Sequence, residues 1–121
     1  MYTICVKNEF KAVHNISYAN GAKDKKHWHD WVAEVYIESE QLTKEDFVMD
    51  FREIEEMLEE ILSKLKGQYI NHVKPFDTMN PTAENISEWI YYELKKKITS
   101  SVRLAKVVLR EGANYTAIYS P

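Results

Sequence analysis

Two of the four histidines in this 121-residue chain stand one residue apart in "KKHWHDW", His27 and His29, and a third, His14, closes the stretch "EFKAVH". Neutral imidazole nitrogens bind zinc at about 2.0–2.1 Å, and three protein ligands leave a fourth position open for water or substrate, the arrangement of catalytic rather than structural zinc. An H-x-H pair by itself is a weak signal. Its weight depends on whether the chain brings His14 to the same place, and strand pairing can do that. Residues two apart on a strand share a face, and the end of one hairpin strand lies beside the start of the next. His72 sits in a loop and is expected in solvent. Glu111 ends the apolar run "KVVLREG", with Val107 and Leu109 on its own face. Its carboxylate is either in water at the sheet edge or buried to hold a donor-rich ligand. Cys5 lies in mid-strand on the parity opposite Ile4 and Val6, with no base near it in sequence. A small packed side chain is the expectation there, rather than a nucleophile.

The elements that must position these groups follow from hydrophobic period. Tyr2, Ile4, Val6, Phe10, Ala12 and His14 recur at every second position with a polar break at Asn8, which predicts one long strand. Residues 15–26, "NISYANGAKDKK", are polar and carry the Asn20-Gly21 turn signal, so they form a loop. A second strand runs from about His27 to Ser39, with Trp31, Ala33, Val35 and Ile37 on the face that His27 and His29 share. From Asp50 the period becomes helical through Phe51, Ile54, Leu58, Ile61, Leu62 and Leu65. Asp50 with Glu53 resembles a capping box, and Gly67 is expected to stop the helix. A loop holding Pro75 leads to "NPTAENISEWIYYELKKK", a second helix with Ile86, Trp89, Ile90 and Leu94 as its buried stripe. "SVRLAKVVL" and "NYTAIYS" then read as a hairpin turning at Glu111, Gly112 and Ala113.

The order β-β-α-α-β-β predicts an α+β domain spanning residues 1–121, with a four-stranded antiparallel sheet and two helices on one face. The other face and the sheet edges need cover. Eight tyrosines and three tryptophans supply material for it, so a homo-oligomer is expected.

A net charge of −3 and a pI near 5.8 give no global reason to expect nucleic acid. The run Lys95, Lys96, Lys97 falls where a helix ends and complements its dipole. One cysteine excludes an intrachain disulfide and fits a reducing compartment, the cytoplasm being the simplest. No window approaches the length of a membrane span, and no signal peptide is visible at the N-terminus.

"EFKAVH", "HWHDW", "MDFREIEEML", "NPTAENISEWIYYEL" and "VVLREGANYTAIY" resemble, in order and spacing, the 6-pyruvoyl-tetrahydropterin synthase and 6-carboxytetrahydropterin synthase family over nearly the whole chain. The resemblance implies the tunnelling fold, in which subunits join their sheets into a barrel, commonly a hexamer of two trimers. It implies His14, His27 and His29 as zinc ligands. It also implies Glu111, outside that set, as the anchor of the pterin's amino-pyrimidine edge, through two parallel N–H bonds to one carboxylate. Thr82 resembles the threonine that helps hold the same ring from a neighbouring subunit, and it also suits a helix N-cap. Zinc would polarise the substrate side chain and stabilise an enolate.

The sequence departs from the family at its proton-transfer set. Family members with synthase activity carry a cysteine four residues before the first histidine of H-G-H, and an Asp-His pair just after the first long helix. Here Lys23 holds the cysteine position, Trp28 replaces the glycine, and the Asp-His pair matches Lys66 and Gly67. Loss of positioned acid and base groups costs on the order of 10²-fold or more each in rate. Three substitutes are visible: Asp24, Lys23 itself if burial discharges it, and His72. Two readings follow. One is a zinc-dependent lyase on a reduced pterin, of the synthase type or cleaving the dihydroneopterin side chain. The other is a zinc- and pterin-binding oligomer without turnover.

Overall fold

The computed structural model describes residues 1–98 and 101–121. The chain forms β1 (Tyr2–His14), β2 (His27–Ser39), α1 (Phe51–Leu62), a short 3-10 turn (Ile70–His72), α2 (Ala83–Lys97), β3 (Arg103–Glu111) and β4 (Tyr115–Tyr119). The strands make one antiparallel sheet in the order β1-β2-β3-β4. Both helices pack on one face, the α+β arrangement expected from the period changes.

Alternation decides which face is buried. Val6, Phe10 and Ala12 of β1 lie beside Trp31, Ala33, Val35 and Ile37 of β2, and then beside Leu104, Val107 and Leu109 of β3. Ile54, Leu58, Ile61 and Leu62 of α1, with Ile86, Ile90, Tyr91 and Leu94 of α2, close this core from above. Trp89 sits at the rim of the core rather than in its stripe.

Three local details differ from the sequence reading. Asp50 caps α1 by accepting from the N–H of Arg52, not Glu53. The helix ends at Leu62, because the Ser63 hydroxyl takes the Glu60 carbonyl and the chain tightens through Lys64 N–H to Ile61 O and Leu65 N–H to Leu62 O. Leu65 is still fully buried in that turn. Gly67, at φ 74°, then turns the chain back onto β1, donating to Lys11 O at 2.7 Å. Glu111 is the last residue of β3, paired with Tyr115, so the hairpin turns over residues 112–114 instead of at Glu111.

The face away from the helices is not bare. Glu34 is only 3% exposed there, held by Arg110 Nε at 2.8 Å and Tyr36 Oη at 2.9 Å, while Lys106 lies over the Tyr36 ring. Long polar side chains cover this face with their stems. Cys5 is exposed on it and lies beside Tyr36, and partial burial of its sulfur pushes the thiol up, so it is no activated nucleophile. No helix among the described residues is long and apolar enough to cross a membrane.

Candidate metal centre

Three adjacent strands deliver the site. His14 pairs with His27 in the β1–β2 register, His29 lies two residues further along β2, and Glu111 ends β3 opposite Trp31. All four project from the helix-bearing face. Beneath them the fully buried Trp31 ring packs edge-on at 4.9 Å from the His14 ring and 5.4 Å from that of His29, which gives the cluster an apolar floor continuous with the core. The three imidazoles pack edge to face, with centroids 4.5–5.3 Å apart.

Glu111 lies inside the histidine set rather than apart from it. Its Oε1 is 2.9 Å from Nε2 of His14, 2.9 Å from Nε2 of His29 and 4.0 Å from Nε2 of His27. The four ligating atoms all fall within 4.8 Å of one another. Two ligand atoms on a tetrahedral zinc are separated by roughly 3.3 Å, given bonds near 2.0 Å. The three Glu111 distances bracket that value.

The hydrogen bonds test whether a cation fits. His14 donates from Nδ1 to the Pro81 carbonyl at 2.8 Å, and His27 donates from Nδ1 to the Lys25 carbonyl at 2.7 Å. In a neutral ring so tied, Nε2 is a bare lone pair. Both Nε2 lone pairs then face a carboxylate oxygen, itself an acceptor. A cation between them reconciles the arrangement, and Nδ1 bonds to carbonyls are the usual way a ligating histidine is oriented. His29 adds an orphan: its buried Nε2 has no hydrogen-bond partner despite its nearness to Glu111. Burial holds His29 below the usual imidazole value and so favours the neutral, ligating form. Three neutral imidazoles and an anionic carboxylate are a donor set suited to zinc.

The other residues singled out in the sequence lie around this cluster. Asp24 is half-buried in the 15–26 loop, where its Oδ1 accepts the Ile16 N–H at 2.5 Å and its carbonyl accepts Asn15 Nδ2 at 3.2 Å. Lys23 is exposed, in water rather than in the apolar setting a lysine base needs. His72 is also exposed, with its ring edge-on to Tyr69. Lys23 and His72 line one cleft, walled on the other side by Asn80 and Pro81. Thr82 is the N-cap of α2 and accepts the Asn85 N–H at 3.1 Å. Sequence reading missed the two carbonyls, of Pro81 and Lys25, that orient His14 and His27. No side-chain pattern marks a backbone acceptor.

A family model described as 6-pyruvoyl tetrahydropterin synthase matches residues 3–121. The chain is 28% identical over 112 residues to the dihydroneopterin monophosphate aldolase of Pyrococcus furiosus, covering 93% of this chain and 91% of that protein. It is 27% identical over 139 aligned positions to the 6-carboxy-5,6,7,8-tetrahydropterin synthase of Aquifex aeolicus, covering 87% and 86%. Among solved structures, the 6-pyruvoyl tetrahydropterin synthase of Caenorhabditis elegans superposes with a TM-score of 0.89 at 20% identity, over 99% of this chain and 95% of that one.

Proposed function

The chain belongs to the 6-pyruvoyl tetrahydropterin synthase family, and from that membership we propose that it is a zinc-dependent lyase acting on the side chain of a reduced pterin. The observation that carries the proposal is the convergence of His14, His27, His29 and Glu111, with two imidazoles fixed by carbonyls and a third left with a buried, unpartnered nitrogen. His14, His27 and His29 would hold the zinc. When bound, it supplies Lewis acidity toward the oxygens of the substrate side chain.

The remaining roles belong to the chain's own groups. Glu111 presents a second oxygen, Oε2, which has no partner among the described residues and can accept from an amino-pyrimidine edge. Trp31 and the packed imidazoles keep water from the floor of the site. Of the three substitutes for the absent cysteine, Asp24 is favoured as the proton acceptor. It is half-buried, close enough to His29 to act on its charge, and its Oδ1 brace to Ile16 leaves Oδ2 available. Deprotonating a side-chain hydroxyl there would break the neighbouring C–C bond in a retro-aldol sense, its electron pair passing into the ring's conjugated C=N. The similarity to a dihydroneopterin monophosphate aldolase supports this reading over the synthase reaction, for which Lys23, Lys66 and Gly67 occupy the required positions. Thr82, at the head of α2, is proposed to help hold a pterin bound at a neighbouring subunit.

The outer edges of β1 ahead of Lys11 and of β4, without a strand partner among the described residues, support assembly into a homo-oligomer, in this family's pattern a hexamer of two trimers. The single cysteine supports a cytoplasmic site of action. A second reading, zinc and pterin binding without turnover, is favoured by one observation: Lys23 and His72 are both exposed in a cleft beside the cluster rather than in it. Incubating zinc-loaded protein with dihydroneopterin, its monophosphate and its triphosphate, and separating the pterins by chromatography, decides between the two. A shortened pterin that forms only with zinc is expected. Binding without any new pterin would establish the silent reading instead.

A further inference from the structure

We propose that Asn15 is a positioning residue for the site: held by the Tyr69 hydroxyl, it fixes both the Asp24 carboxylate and the Lys25 carbonyl that orients His27. This rests on the reading above, in which Asp24 takes the proton and the histidines hold zinc.

Asn15 follows His14 directly, where β1 ends and the loop of residues 15–26 begins. It is only 8% exposed, and every polar group it has is bonded. Its backbone N–H donates to Asn71 Oδ1 at 3.1 Å, and its carbonyl accepts from Asn71 Nδ2 at 2.9 Å. Its side-chain Oδ1 accepts from the Tyr69 hydroxyl at 2.5 Å, while its Nδ2 donates to the Asp24 carbonyl at 3.2 Å. The Asn71 bonds reach only the backbone of residue 15, so they survive loss of its side chain. The Asn15 amide is what carries the constraint on to Asp24.

The anchoring side is firm. Residues 67–69 run along the end of β1, through Gly67 N–H to Lys11 O at 2.7 Å, Val13 N–H to Gln68 O at 2.9 Å and a parallel bridge between Val13 and Tyr69. Lys26 adds a second tie between loop and anchor, its Nζ 4.3 Å from the centre of the Tyr69 ring. On the other side of Asn15 the loop narrows to a neck. There Asp24 N–H donates to Ile16 O at 3.1 Å and Asp24 Oδ1 accepts the Ile16 N–H. The carbonyl that Asn15 grips is followed in the chain by that of Lys25, which receives Nδ1 of His27 at 2.7 Å. Displacing it moves a base and a metal ligand together. A buried network with every member satisfied holds one geometry, and removing one partner leaves the other unpaired.

The test uses wild type, Asn15→Ala and Tyr69→Phe, and each variant combined with Asp24→Asn. Zinc affinity is read by competition with a chromophoric chelator, and kcat and KM on the reduced pterin at saturating zinc. Zinc affinity should fall roughly tenfold in Asn15→Ala, and less in Tyr69→Phe, as when a ligating histidine loses its orienting partner. The same variants should lower kcat, by roughly tenfold in Asn15→Ala and part-way in Tyr69→Phe, since a misplaced group reacts slowly. KM should stay within about threefold of wild type, because no contact with the substrate is lost. With Asp24→Asn already present, the kcat loss should shrink to less than about threefold, the group being positioned having gone. An undiminished loss in that background, or wild-type zinc affinity in Asn15→Ala, would overturn the proposal. Tyr69→Phe keeps the test open should Asn15→Ala fail to fold, since its smaller kcat loss must show the same dependence on Asp24. If wild type binds zinc but turns over no reduced pterin, the proton-acceptor reading fails and zinc affinity alone decides the hold on His27: a fall in Asn15→Ala upholds it, and no fall removes it.

Discussion

Oε1 of Glu111 and Nε2 of His14 lie 2.9 Å apart although each, with His14 tied to Pro81, presents a lone pair to the other. This contact makes Glu111 a neighbour of any cation held by the histidines, not a remote anchor. Glu111→Gln keeps the shape and removes the charge. Zinc affinity should fall about tenfold, the usual effect of losing a group beside a metal's ligands. Affinity of the zinc-saturated protein for a reduced pterin should also fall at least roughly tenfold, because an amide presents a donor where an acceptor is needed. Zinc competition with a chromophoric chelator, followed by pterin titration at saturating zinc, measures the two effects separately. Unchanged zinc affinity would leave Glu111 as the pterin anchor outside the histidine set that the family resemblance implies.

The histidine set makes a simpler prediction. Protein offered zinc should retain about one ion per chain, and His27→Ala or His29→Ala should abolish retention in elemental analysis. Both side chains are part-exposed at the start of β2, so these variants should keep the wild-type far-ultraviolet circular dichroism. Metal retained at wild-type stoichiometry in both would mean the ion sits elsewhere.

The fold was legible because its burial is simple. Even positions in β1 and odd positions in β2 face two helices, and the sequence alternates accordingly through Phe10, Ala12, Trp31 and Ala33. The three histidines were legible for the same reason, since parity and hairpin pairing place them on one face. Element ends were less so: Ser63 ended α1 before Gly67 through a side-chain bond to Glu60 that competes locally with the helix. Glu111 among the histidines was not legible either. Its position depends on the β2–β3 register, set across the bulge at Tyr36/Ile37, which no pattern in β3 reveals. Glu34, buried on the face expected to be bare, was hidden because its partners come from β2 and β3 at Tyr36 and Arg110.

Asp24→Asn separates a base from a brace. Asparagine keeps an Oδ1 able to accept the Ile16 N–H, so the loop that carries His27 should hold its shape. It cannot take a proton. Turnover of the reduced pterin should fall on the order of 10²-fold or more, with the pterin dissociation constant changed by less than about threefold. Wild-type turnover in Asp24→Asn would remove Asp24 from the reaction.

Oligomer state follows from the edges. Among the described residues, the outer edge of β1 ahead of Lys11 and that of the five-residue β4 have no strand partner, while Lys11 and Val13 bond to Gly67 and Gln68. Light scattering at micromolar concentration should give a mass several times that of the 14.3 kDa chain, a trimer or hexamer fitting best. A monomeric mass would contradict it.

Glu34 gives a stability test that does not depend on zinc. Burial alone would push its carboxyl up, but hydrogen bonds from Arg110 and Tyr36 outweigh that and leave it below the ordinary value of 4.5. The sign follows by linkage. A carboxyl whose folded value is depressed binds a proton more readily when unfolded, so its contribution is present above the unfolded value and disappears as pH falls through the folded one. Tyr36, pushed up to about 12 chiefly by its bond to Glu34, remains a donor throughout. Glu34→Gln keeps the volume but loses the charge facing Arg110. Its melting temperature at pH 7 should therefore lie several degrees below wild type, roughly 3–8 °C. The gap should close progressively as pH is lowered from about 5 through 3, since the wild-type carboxyl loses its charge over that window. A gap independent of pH in melting curves across this range would show that Glu34 acts through packing alone and that its charge is fully screened at the sheet surface.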